Sequence, residues 1–132
     1  MEEISWLQSR DIVGLKYGKD NARDFIKPFA RDILLLESRI AGTAHIEGIE
    51  DLESYILTGE SVSFYREPDH VDDTNTIAVR TEYGTKIGYV PKKDNVALAR
   101  LMDAGKLLVG KITAKELSGS WVKIYMNIYL RE

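Results

Sequence analysis

The alternation of apolar and polar residues predicts short strands interrupted by two short helices. The clearest case is 121–130. Val122, Ile124, Met126, Ile128 and Leu130 fall on one side, and Trp121, Lys123, Tyr125, Asn127 and Tyr129 on the other. A period of two marks a strand with one buried face. Ser118-Gly119-Ser120 joins it to a preceding strand, 106–117, rich in Leu, Val and Ile. Earlier, 61–67 alternates with Val62 and Phe64 inward, and 32–41 reads as the first strand, with Ile33 and Leu35, joined by Leu34 and Leu36, buried. Asn75-Thr76-Ile77-Ala78-Val79 runs to a Tyr83-Gly84 turn, residues 86–90 return, and Pro91, lacking an N–H, stops the second strand.

Two segments change to helical spacing. Apolar residues at 49, 52, 55 and 56 predict one helix, with Gly59 as its C-terminal cap. Asp94 predicts the cap of a second helix running through Asp103, with Ala97, Leu98, Leu101 and Met102 on one face and Gly105 at its end. Strands joined by hairpins exclude a parallel α/β sheet. The expected class is mostly β with two short helices (α+β), a small antiparallel six-stranded barrel of the partly open, OB-like kind.

The 132 residues fit one domain at 32–132 with an extension at 1–31. That extension carries Ile4, Trp6, Leu7, Phe25 and Phe29, too apolar for a disordered tail. It is expected to pack on the domain; the alternative is a partner-binding arm. Cysteine is absent, which removes disulfides, thiolate zinc sites and thiol catalysis together. With no long apolar run, the expected setting is the cytoplasm, away from membranes.

Charge is distributed unevenly. Residues 45–79 carry nine acids against Arg66 alone, a net of −8, whereas 80–132 carry ten bases against five acids, a net of +5. Either solvated faces cluster by chance, or a basic surface suited to phosphate lies beside an acidic loop with a local task.

That loop belongs to the most distinctive stretch, 66–91: Arg66-Glu67-Pro68, then Asp73 and Asn75 ahead of Ile77-Ala78-Val79, then Gly88-Tyr89-Val90-Pro91. It resembles the HIRAN domain, whose members often occur joined to helicase or translocase motors. The resemblance covers about 32–130 and implies the same barrel. It also implies that Asp73 matches an acid in the pocket that receives a single-stranded 3′ end. The chain departs from the DNA-end-binding pattern at Asp72, where the family often has Tyr, and at Ala44 and His45, where Arg and Tyr are expected.

No phosphate-binding glycine loop or nucleophile elbow occurs, so no catalytic residue is assigned and the chain is expected not to be an enzyme. His45, His70 and the nearby acids lack zinc or calcium spacing, so no metal or other cofactor is expected. Asp73 and Asn75 have a structural reading, in which local backbone hydrogen bonds lock the loop. The functional reading places Asp73 on a terminal sugar hydroxyl. Binding a single strand requires aromatic faces and cations. Trp121, Tyr89 and His45 are the candidate faces, and Lys92, Lys93 and Arg66 the candidate cations. The expected function is a non-enzymatic module binding single-stranded DNA or its free 3′ end, in DNA repair or replication. The alternative is a protein-interaction module, using the same scaffold and the first 30 residues.

Overall fold

The computed structural model describes residues 31–132. Residues 1–30, and with them the expected packing or partner-binding role of the extension, lie outside the described residues. The described elements are β1 (Asp32–Arg39), α1 (Ile49–Leu52), β2 (Ser61–Arg66), β3 (Ile77–Thr81), β4 (Lys86–Tyr89), α2 (Lys92–Asp103), β5 (Leu107–Ser118) and β6 (Trp121–Arg131), with 3₁₀ turns at Thr43–His45 and Glu53–Tyr55.

The six strands form one sheet in the order β1-β6-β5-β2-β3-β4, antiparallel throughout. The sheet curls until its ends meet. Just beyond β1, the Ala41 N–H donates to the Tyr89 carbonyl at 2.7 Å and the Tyr89 N–H donates back at 2.8 Å. This bridge partly closes the barrel and takes up part of an otherwise open edge. Inside, Val62, Ile77, Val79, Ile87, Ile112, Val122, Ile124, Met126 and Ile128 are buried in one cluster, and Leu98 and Ala99 of α2 pack onto it. The alternation in β6 and β2 appears as expected.

Other expectations need correction. A bulge between Leu34 and Leu36 puts an extra residue into β1, so Leu35 and Leu36 are half-buried while Ile33 is 39% and Leu34 49% exposed. The first helix is a single turn continued by a 3₁₀ turn, because Ile56 becomes extended and buried. Gly59 therefore caps no helix; its N–H donates to the Ile112 carbonyl at 2.7 Å. α2 begins at Lys92 with Pro91 as its cap residue, and Asp94 lies inside the first turn, where it accepts the Ser38 hydroxyl at 2.8 Å. Its buried stripe contains Asn95, Leu98 and Ala99, and Ala97 is exposed. The expected end is correct. Left-handed Gly105 donates to the Met102 carbonyl and Lys106 to that of Leu101, so paired backbone bonds close the last turn.

Candidate functional site

Where the bridge closes the sheet, three chain segments and the start of α2 surround a cleft of about 460 Å³. Each wall has a local cause. Gly42 takes a left-handed φ of 72° that starts the 43–45 turn, and a Cβ there would lie 3.3 Å from the Tyr89 ring. The turn is anchored by buried Thr43, whose hydroxyl donates to the Val122 carbonyl at 2.7 Å. His45 is thereby left exposed at the rim.

The opposite wall is the 67–76 loop, folded on itself by backbone bonds. Glu67 N–H donates to Thr76, His70 to Glu67, Asp73 to His70 and Thr76 to Asp73, at 2.9–3.3 Å. Asp73 organises this loop. Its Oδ1 accepts the Asn75 N–H at 2.8 Å and its Oδ2 accepts Asn95 Nδ2 at 2.9 Å. Asn95 is 3% exposed, so a buried amide of α2 is satisfied by a loop carboxylate. The Asn95 bond, followed by the Asn75 N–H, holds the Asp73 carboxyl below its ordinary range, with smaller help from Lys92 and His70 and against partial desolvation. Asp73 is therefore a carboxylate at neutral pH. Two accepted bonds leave further lone pairs, since a carboxylate offers about four acceptor sites.

Tyr89 forms the floor. His70 meets its ring edge-on at 5.9 Å between centroids, and Lys86 Nζ lies 5.0 Å from the ring centre. Lys86 also pairs with Glu67 at 2.8 Å and donates to the Tyr89 hydroxyl at 3.2 Å, and those bonds raise its pKa. Tyr89 is thus a half-buried strand aromatic held from two sides. Lys92 is the exposed lysine of the cleft, which Asp72 and Asp73 also line.

Of the residues singled out in the sequence, the structure brings His45, Asp73, Tyr89 and Lys92 together in this cleft. Asn75 contributes its backbone N–H to Asp73. Arg66 is engaged elsewhere: its guanidinium binds Asp103 at 2.9 and 3.2 Å and the Thr76 carbonyl at 2.9 Å, bracing the loop from behind. Lys93, one helical residue on and so rotated by about 100°, lines a different groove. Trp121 also lies off the cleft, 43% exposed, with Lys123 Nζ 4.7 Å and the Arg39 guanidinium 5.6 Å from its ring centre. Asn95 and His70 were missed as site residues. Asn95 had a readable signal, since it falls three and four positions before Leu98 and Ala99 on the buried stripe, and a polar residue facing inward needs a partner.

Among the described residues no group of three or more His, Cys, Asp or Glu is placed to hold a metal ion. No described helix is long and apolar enough to cross a membrane.

Comparison with known proteins bears on the family and the fold. The family model for the HIRAN domain matches residues 33–132. Helicase-like transcription factor from Oryctolagus cuniculus is 34% identical over 70 residues, 52% of this chain but only 7% of that protein. Among solved structures, a protein from Lactobacillus plantarum superposes with a TM-score of 0.72 at 24% identity, covering 78% of this chain and 98% of the other. The HIRAN domain of human HLTF superposes with a TM-score of 0.60 at 20% identity, covering 76% and 78%. At such identities the structural likeness speaks for the fold.

Proposed function

The chain belongs to the HIRAN domain family, and from that membership we propose that it is a non-enzymatic DNA-binding module that takes the free 3′ end of a single strand into the Asp73 cleft. The observation that carries this reading is the Asp73 carboxylate, fixed by Asn75 and Asn95 with acceptor capacity to spare. Such a group suits a sugar hydroxyl, a donor, and repels a terminal phosphate. In this reading Lys92 meets the adjacent phosphodiester and His45 offers a ring at the rim, and both line the cleft. Each base stacked on an aromatic side chain is worth about 1–3 kcal/mol. Trp121, between Arg39 and Lys123, supplies an exposed aromatic face flanked by cations beyond the cleft. Participation in DNA repair or replication is part of the same proposal, since such work generates free single-stranded ends.

The test is to titrate the isotopically labelled protein with a ten-nucleotide single strand and map amide chemical-shift changes. The reading expects the largest changes at 42–45, 70–76, 89 and 92–95. Changes centred on the Tyr55, Leu57 and Tyr83 surface, with the cleft silent, would overturn it. No change anywhere would favour the protein-interaction alternative.

A further inference from the structure

A second groove, about 780 Å³ in volume, lies against the cleft, and Ala41 lines both. It runs across the outer side of β1, β6 and β5 beside the start of α2, and its polar lining includes Arg39, Lys93, Tyr125, Asn127 and Glu37. The two spaces differ in charge. The cleft sets Asp72 and Asp73 against Lys92, while the groove sets Arg39 and Lys93 against Glu37. Elsewhere the cations are often occupied: Arg66 by Asp103, Lys86 by Glu67, Lys115 by Glu53 and Arg131 by Asp32. Arg39, Lys92 and Lys93 form no ion pair among the described residues; Arg80, Arg100, Lys106 and Lys111 form none either, but those four line neither the cleft nor the groove.

This division has a consequence for any polyanion whose end enters the cleft. A site with two carboxylates and one lysine suits a neutral hydroxyl end, but not the phosphates that follow. Those need cations within reach of the rim, and Lys93 stands next to Lys92 on the same helical turn. Tyr125 and Asn127, adjacent on the outward face of β6, add an aromatic side chain and an amide of the kinds that meet bases and sugars.

We propose that this groove is a second subsite, in which Lys93 and Arg39 neutralise phosphates of the single strand leading into the cleft. The proposal rests on the cleft reading above, and strand length separates the two. Anisotropy is measured against salt for a trinucleotide and a decanucleotide, both with 3′-hydroxyl ends. Each phosphate-contacting cation contributes about 0.7 to the logarithmic salt slope for a single strand. The trinucleotide, meeting Lys92 alone, is expected to give a slope of about 0.7, and the decanucleotide, meeting Lys92, Lys93 and Arg39, about 2. Lys123 is not counted, because Glu116 lies 4.0 Å from it. K93Q, which does not touch the Arg39–Trp121 contact, lowers the decanucleotide slope to about 1.4, and R39Q with K93Q lowers it to about 0.7. The loss is confined to the longer strand. Equal slopes for both lengths, or a decanucleotide slope untouched by the double variant, overturn the groove and leave the cleft reading standing. Absence of binding by both lengths overturns the cleft reading and the groove together.

Discussion

Replacing Gly88 by alanine places a Cβ 2.6 Å from the Ala41 carbonyl oxygen and 2.5 Å from Ile40 Cγ2. Neither neighbour is a free side-chain tip. Ile40 is 3% exposed, and the Ala41 carbonyl accepts the Tyr89 N–H in the bridge that closes the barrel. The added methyl must therefore push the chain after β1 away from β4. Overpacking of this kind costs about 1–3 kcal/mol, and weakening the two bridge hydrogen bonds adds about 1 kcal/mol each. Reduced freedom of the unfolded chain offsets about 0.4–1 kcal/mol. The net is roughly 3 kcal/mol, which lowers the melting temperature of a domain this size by more than about 10 °C. Thermal unfolding followed by circular dichroism reads this directly. G48A is the control, because Gly48 also has a positive φ, 76°, yet nothing lies within 4 Å of its added Cβ. Its cost is the left-handed backbone, about 1–2 kcal/mol, less the same unfolded-chain offset of about 0.4–1 kcal/mol. If G88A melts no lower than G48A, the close approach of Ala41 to β4 is not what the Gly-Tyr-Val-Pro sequence is for.

Two further predictions concern the cleft walls. Thr43→Val keeps the shape of a buried residue but removes its bond to the Val122 carbonyl, so it should cost roughly 1 kcal/mol in urea unfolding and weaken strand binding by loosening the 43–45 turn; unchanged stability would contradict the anchoring role. Asp73 has a folded pKa below its unfolded one, chiefly through Asn95, so its contribution is complete above the ordinary aspartate value and is lost as pH falls through the depressed folded value. Asn95→Ala should raise the Asp73 pKa toward the ordinary range in a carbon-detected carboxyl titration and delay no part of the acid unfolding; an unmoved pKa would show that the amide does not hold the carboxylate.

The barrel was legible because its strands obey simple physics. In β6 and β2 the period of two maps onto one buried face with no interruption. β1 misled because its bulge offsets the alternation among four consecutive apolar residues, Ile33 to Leu36, which contain no polar residue to mark the face. The first helix misled because Tyr55 and Ile56 continue its apolar spacing although the chain has already turned to bury Ile56. Of the eight residues singled out, His45, Asp73, Tyr89 and Lys92 come together because barrel closure brings the end of the 43–45 turn, the end of β4 and the start of α2 beside the 67–76 loop. Trp121 and Lys93 show what spacing omits. Neighbouring residues on a helix or strand face different spaces, so Lys92 and Lys93 part company at the ridge between cleft and groove. Arg66 had the right charge, but Asp103, 37 positions away, claims it.

The most direct test of the central claim compares ten-nucleotide single strands ending in a 3′-hydroxyl or a 3′-phosphate, by anisotropy at low salt. The Asp73 cleft predicts tighter binding of the hydroxyl end, with the preference lost in D73A. Equal binding of both ends by the unaltered protein would contradict the claim and leave only a basic surface that holds strands without reading their ends.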